Sequence, residues 1–289
     1  MTVLMRALNL SNNFITWTST SPDYEGTYAP EAIQSDSAVV VSDTGSVAVQ
    51  NIGKLGLEHS PVGLWLFENN LNDSSGNGFD LTGTPDYTTE LRDKQVGAIF
   101  GTTPWTRPSR DAELSIIGAI TIEAVITIAF SSSTTMTVCS IGNTGETEAD
   151  NSMYYAMIGS SILGASDKKM TLLWESSTGV NRSVTSATEV VPVGIPCHLV
   201  WTRSADATAI VNMYVNGVNI HTGSTTAATG GTSATCLFRV GTNSAIADTL
   251  GRGSVLTSLK IIAAELTPAQ VIDEYNRVLG GKAITYPVM

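Results

Sequence analysis

The chain of 289 residues is 42% hydrophobic but only 14% charged, against about 25% charged in an average soluble protein, and this apolar content excludes a disordered polymer. With 26 acidic against 15 basic residues, a net charge of −11 excludes nucleic acid as a partner, because phosphates require clustered Lys and Arg, and it equally opposes an anionic membrane surface. An acidic, weakly charged surface suits solubility, cation binding or neutral partners such as glycans.

The opening residues, MTVLMRALNLSNN, lack the apolar core of an export signal, and no run approaches the ~20 apolar residues of a membrane span. The expectation is therefore synthesis in the cytoplasm. SNNFITWTSTSPDYEGTYAPEAIQ reads as an extended arm with a turn at Ser21-Pro22-Asp23, and AVVVSDTGSVAVQNIG as one or two strands. Residues 1–62 are accordingly set apart as an arm that covers its own domain or reaches a neighbour. From Gly63 to Leu266 the chain reads as short strands separated by turns. ITIEAVITIAF, MTLLWESS, SVTSATEVVPV and CHLVWTRS are β-branched and aromatic in the manner of strands. In AIVNMYVNGVNIHTG, Asn216-Gly217 supplies the two positive-φ residues of a type I′ hairpin turn. One helix closes the domain: Thr267 is its N-cap, Pro268 its first residue and Gln270 completes a capping box. Val271, Ile272, Tyr275, Val278 and Leu279 form its expected apolar face, and Gly280-Gly281 stops it. Residues 63–280 thus make one domain, and 281–289 a tail.

The order of these pieces resembles the laminin-G-like, concanavalin A-like jelly-roll superfamily. The resemblance rests on Trp65-Leu66-Phe67 followed by Asn72-Asp73-Ser74-Ser75-Gly76-Asn77-Gly78, on GAIFG, and on AITIEAVI. It continues in His198-Leu199-Val200-Trp201-Thr202-Arg203, Met213-Tyr214-Val215-Asn216-Gly217 and the segment from Leu266 to Tyr275. It implies an all-β concanavalin A-like jelly-roll β-sandwich with an N-terminal arm and one short C-terminal helix. Such a fold hosts lectins, adhesion modules, hydrolases and structural proteins alike.

In many members of that superfamily the opening turn holds calcium, a cation that takes 6–8 oxygen ligands. Here Asn69, Asn72, Asp73, Asn77 and Asp80 bring oxygen donors together, so Asn72, Asp73, Asn77 and Asp80 are the candidate ligands of a structural calcium ion. The other reading is a self-contained turn in which Asp73 and Asn77 make Asx-turns while the glycines take positive φ. Thr257 stands where the superfamily often places a further acidic ligand.

A catalytic site finds no support in the sequence. Jelly-roll glycosidases pair two carboxylates across the scissile bond, whereas Glu123 and Glu175 each stand alone on a strand, and Glu146, Glu148 and Asp150 read as an exposed loop. His59, His198 and His221 have no nucleophile elbow to serve. Cys197 and His198, adjacent on a strand, point to opposite faces. Cys139, Cys197 and Cys236 read as buried apolar side chains. Tyr154, Tyr155, Trp174 and Trp105 are the candidate sugar-stacking aromatics.

The expected function is a non-enzymatic structural or interaction protein. The first setting is a viral (phage) virion component, such as a capsid decoration, head-fibre or tail-associated protein, that assembles as a homo-oligomer, for instance a trimer, with other virion proteins. The alternative is a carbohydrate-binding or adhesion module of a bacterial surface or secreted protein, with a cell-surface glycan as its partner.

Overall fold

The structure is a computed structural model that describes residues 3–8, 14–19, 39–41, 47–49, 60–91, 95–101, 103–109, 111–129, 136–142, 154–160, 165–175, 181–226, 237–242, 250 and 252–279. The chain divides into two units, Met1–Glu58 and His59–Met289. In the first, Val3–Leu8 (β1) pairs antiparallel with Phe14–Ser19 (β2), and Val39–Val41 (β3) with Val47–Val49 (β4). Part of the expected arm is thus a hairpin, in keeping with the β-branched and aromatic residues of FITWTS. The turn at Ser21-Pro22-Asp23 and the tail 281–289 lie outside the described residues.

The second unit contributes Gly63–Trp65 (β5), Asp86–Leu91 (β6), Gln95–Ile99 (β7), Trp105–Thr106 (β8), Ile120–Thr127 (β9), Met136–Gly142 (β10) and Tyr154–Ser160 (β11). Ala165–Glu175 (β12), Asn181–Thr185 (β13), Cys197–Arg203 (β14), Thr208–Val215 (β15), Val218–Thr226 (β16), Leu237–Val240 (β17) and Val255–Ile262 (β18) follow, before the helix Pro268–Val278 (α1). An eight-stranded sheet runs β16-β15-β14-β9-β18-β7-β6, with β5 also paired to β18, and a six-stranded sheet runs β13-β12-β11-β10-β17-β8. Their strand pairs are antiparallel.

Strand alternation explains the sandwich. Ile120, Ile122, Ala124 and Ile126 of β9, Cys197, Leu199 and Trp201 of β14, and Leu259 and Ile261 of β18 share one core. Val138 and Ile141 of β10, Trp174 of β12 and Phe238 of β17 belong to the same core. The rings of Trp65 and Phe238 stack across it at 4.9 Å. Cys139 and Cys197 are buried, as expected, and burial pushes the Cys197 thiol up to about 12. Cys236 lies outside the described residues. Cationic side chains are buried as well. Fully buried Arg203 lies over Trp174 at 5.2 Å and donates to the Gly118 carbonyl, which fixes the loop before β9.

The outer face of the eight-stranded sheet is divided. Every residue of β14 is buried, because α1 lies over that face and Val200, Tyr214, Ile262, Leu266 and Val271 form a second cluster beneath it. The capping box forms as expected, with Gln270 N donating to Thr267 Oγ1 at 3.3 Å and Thr267 N to Gln270 Oε1 at 2.8 Å. The buried stripe is not the expected one. Ile272 is 46% exposed, while Glu274 is buried.

The cause is Lys260, whose side chain stands on the outer face of β18. Its Nζ lies 2.6 Å from Glu274 Oε2 and 3.1 Å from Glu123 Oε2, and all three side chains are buried. A charge in that position requires close opposite charges, so the helix turns Glu274 inward. His198 Nε2 stands 3.6 Å from Glu123, at ion-pair distance, and Arg277 reaches Glu274 from the exposed side. Burial opposes the charge on Glu123, but His198 and Lys260 outweigh it and hold the carboxyl below its usual range.

Glu274→Ala leaves Lys260 short of an anion and is expected to cost about 3–5 kcal/mol in urea denaturation. Arg277→Ala, at the exposed end of the network, should cost no more than about 1 kcal/mol. Equal effects of the two substitutions would contradict this account of the clamp.

Candidate functional site

The opening turn is built around one carboxylate. Asp73 Oδ1 accepts from Leu64 N at 3.0 Å and Ser75 N at 2.9 Å, and Oδ2 from Ser75 Oγ at 2.7 Å and Phe79 N at 3.0 Å. A carboxylate offers about four lone-pair positions, so Asp73 is saturated by donors from β5 and the turn. Asp80 Oδ1 accepts from Asp73 N at 2.8 Å, and Asn77 Nδ2 donates to the Val62 carbonyl at 2.8 Å. Asn72 receives its turn bond from Asn70, whose Oδ1 accepts the Asn72 N–H at 2.9 Å. Gly76 and Gly78 take φ of 91° and 75°. Burial would raise the Asp73 pKa, yet the bonds from Leu64, Phe79 and Ser75 outweigh it and hold the carboxyl below its usual range.

A resident cation also faces this turn. Arg107 pairs with Asp111 through Nε at 2.6 Å and lies over the Phe79 ring at 5.8 Å, and the bond to Asp111, with the charges of Asp111, Asp80 and Asp73, holds its guanidinium above the usual range. Of the candidate ligands Asn72, Asp73, Asn77 and Asp80, Asp73 has its lone pairs filled from within the protein, which favours the self-contained turn over a calcium cage. Among the described residues no group of three or more His, Cys, Asp or Glu is placed to hold a metal. Thr257 sits at an irregularity in the β9–β18 pairing, where the register shifts between Leu256 and Ser258.

The four candidate stacking aromatics are corrected by burial. Tyr154 and Trp174 are 0% exposed, Trp105 1% and Tyr155 2%. Tyr154, Trp105 and Trp174 point into the core between the sheets, where Tyr154 donates to the Leu114 carbonyl. Tyr155 packs with Met157 and Leu173 in a separate buried cluster. None presents a ring face to a sugar. Glu146, Glu148, Asp150 and His59 lie outside the described residues. Glu123, read as the lone carboxylate of its strand, is locked with Lys260 and His198 under α1.

A surface absent from the sequence-based expectations lies on the outer face of β15 and β16, beside α1. Alternation in TAIVNMYV places Ile210, Asn212 and Tyr214 on this face. Asn212 Oδ1 accepts from Thr222 Oγ1 at 2.7 Å and from Asn219 Nδ2 at 3.4 Å, and its Nδ2 reaches Glu265 Oε1 at 3.3 Å. Asn219 and Thr222 are three positions apart and belong on opposite faces of a regular strand. Met213 pairs with His221 but Tyr214 with Asn219, so Ile220 is an extra residue, a β-bulge that re-aims the side chains around it. Ile220 then packs against the core, and Asn219 joins Thr222 outside. Glu265 has its pKa raised by burial and by the charge of Asp206, against the opposing bond from Asn212. The hairpin turn beside this surface is the expected type I′, with φ of 51° at Asn216 and 77° at Gly217. Gly217 is required twice, since a Cβ there would also stand 3.2 Å from the Tyr275 ring of α1.

No protein-family model matches the chain, and no curated protein does. Solved structures do. Domain 4 of the extracellular GH43 arabinanase AbnA from Geobacillus stearothermophilus, solved with arabinotriose, superposes with a TM-score of 0.54 at 20% identity, over 74% of this chain and 98% of that domain. The binding domain of Paraclostridial Mosquitocidal Protein 1 gives 0.55 at 13% identity, over 74% of this chain and 51% of that one. The receptor-binding domain of the botulinum neurotoxin C/D mosaic serotype gives 0.53 at 11%, over 76% and 51%. The chain thus spans nearly all of the arabinanase domain and about half of each toxin domain. At these identities the likeness is one of fold: an all-β sandwich of two antiparallel sheets with one short C-terminal helix. Among the described residues no helix is long and apolar enough to cross a membrane.

Asp73→Ala orphans the Leu64, Ser75 and Phe79 N–H groups and is expected to cost on the order of 2–4 kcal/mol at pH 7. A carboxyl held below its unfolded pKa contributes stability above about pH 4, and that contribution is lost as pH falls through the folded value. Asp73→Asn should therefore flatten the acid limb of the stability curve. Chelator should leave the melting temperature of the wild type unchanged; a rise with added calcium chloride would restore the metal reading.

Proposed function

We propose that this chain is a non-catalytic binding module that recognises a glycan at a cell surface or in an extracellular polymer. The observation that carries the proposal is its shared fold with the arabinanase domain, which is matched over nearly its whole length and is a structure with arabinotriose bound. The mosquitocidal and botulinum domains are also binding domains by name. These neighbours favour the carbohydrate-binding or adhesion reading over a capsid decoration, head-fibre or tail-associated protein of a virion. The charge supports the same choice, since a net −11 with 15 scattered basic residues suits a neutral polymer better than a polyanion.

The test is affinity electrophoresis and glycan-array binding of the full chain, with reducing-end release followed in parallel. Retention by at least one neutral polysaccharide without release of reducing ends is expected. Failure to bind any neutral glycan would overturn the reading as a glycan module, and progressive hydrolysis would overturn its non-catalytic character.

A further inference from the structure

We propose that the outer face of β15 and β16 beside α1 is a binding site for a neutral oligosaccharide. There Asn212, Asn219, Thr222 and Glu265 meet the sugar hydroxyls, and the Tyr214 hydroxyl forms the floor. The proposal deepens the binding-module reading and rests on it.

The first observation is the chemistry of the set. Two amides, a hydroxyl and a carboxylate offer both donors and acceptors, the combination that adjacent hydroxyls of a sugar require. They are held in register by their own bonds, from Thr222 to Asn212 at 2.7 Å and from Asn212 to Glu265 at 3.3 Å, so a ligand meets groups already oriented. Ile210, 41% exposed, stands two positions along the same face and offers an apolar contact to the C–H side of a pyranose or furanose ring.

The second observation is independent and concerns Tyr214. Its ring is buried under α1 with Val200 and Val271, and its hydroxyl is buried without a hydrogen-bond partner. Burial raises the Tyr214 pKa, and the Asn219 amide, which faces the hydroxyl, opposes that rise. A phenolic hydroxyl left unpaired in a buried position costs free energy that a phenylalanine would avoid. Its place at the edge of the polar set gives it a use, as a donor to a ligand oxygen.

The third is the edge-strand bulge. β16 ends the eight-stranded sheet, and its extra residue Ile220 is what brings Asn219 onto the face of Thr222. A bulge that only blunted the edge against aggregation would have no need to gather two amides and a hydroxyl around one point.

Charge selects the sugar class. No Lys or Arg occurs from Ser204 to Cys236, and the flanking Arg203 and Arg239 are buried. Glu265 and Asp206 contribute the local charge. Uronate, sulfate and sialate are therefore disfavoured, and uncharged sugars are accepted.

The test is isothermal titration calorimetry of the full chain. The probes are arabinotriose, cellotriose and maltotriose, with trigalacturonate and sialyllactose as anionic comparators. Wild type is expected to bind at least one neutral trisaccharide and neither anionic sugar. Asn219→Ala and Thr222→Val should each weaken binding about tenfold or more, as loss of a hydrogen bond to a ligand hydroxyl does. Tyr214→Phe is the sharpest variant: it should weaken binding while leaving the melting temperature equal or higher, which a purely structural hydroxyl would not do. Neutral sugars binding equally to wild type and to all three variants would overturn the site and leave the module reading intact. Binding to none of the neutral sugars, confirmed on the glycan array, would overturn both. Preference for the anionic sugars would overturn the assignment of ligand class.

Discussion

Lys260 is the charge around which the outer half of the domain is arranged. It stands on β18, whose opposite face is core, and its ammonium is enclosed between Glu123 of the neighbouring strand and Glu274 of the helix. A buried cation of this kind is tolerated only with well-placed anions, and this requirement orients α1. Once the helix is so oriented, Val271 covers Val200, Tyr214 and Ile262, and Tyr275 closes against the Gly217 turn. Beyond Tyr214, α1 leaves Ile210, Asn219 and Thr222 of β15 and β16 exposed. The same contacts that hold the helix thus define the border of the proposed binding surface and bury the ring of Tyr214 at its edge.

The opening turn plays a different part. Its carboxylate joins β5 to the loop through bonds from Leu64 N and Phe79 N, and Trp65 Nε1 completes the junction by donating to the Phe79 carbonyl at 2.9 Å. Arg107, paired with Asp111, reaches the Asp80 carbonyl at 3.4 Å. Residues that look like cation ligands in one dimension are donors and acceptors to one another in three. The turn anchors the first strand of the sandwich against β18, and the proposed ligand-facing polar groups lie on β15, β16 and the segment before α1.

Much of the fold was legible because it depends on local rules. The Asn216-Gly217 turn, the Thr267 capping box and the alternation of β9 and β14 each follow from a few neighbouring residues, and each forms as expected. Long-range charge pairing was not legible. Nothing near Glu274 in sequence says that it, rather than Ile272, faces the sheet, because the reason is Lys260 on another strand. Nor does anything local announce that Arg107 faces Asp73 and Asp80. The aromatics misled for a related reason: Tyr154, Trp105 and Trp174 fill the space between two sheets, and only the pairing of those sheets shows it. The polar set on β15 and β16 was half visible. Alternation alone puts Asn212 beside Tyr214, but a regular strand would have sent Asn219 and Thr222 to opposite faces. The bulge at Ile220 is a tertiary compromise, in which the core takes the isoleucine.

Side-chain amide NMR on the 15N-labelled chain, titrated with the neutral oligosaccharide that binds most tightly, tests this picture most directly. Saturable shifts at the Asn212 and Asn219 amides, with the Asn72 and Asn77 amides of the opening turn unmoved, are the predicted result. Saturable shifts at the opening turn with Asn212 and Asn219 unmoved would contradict it.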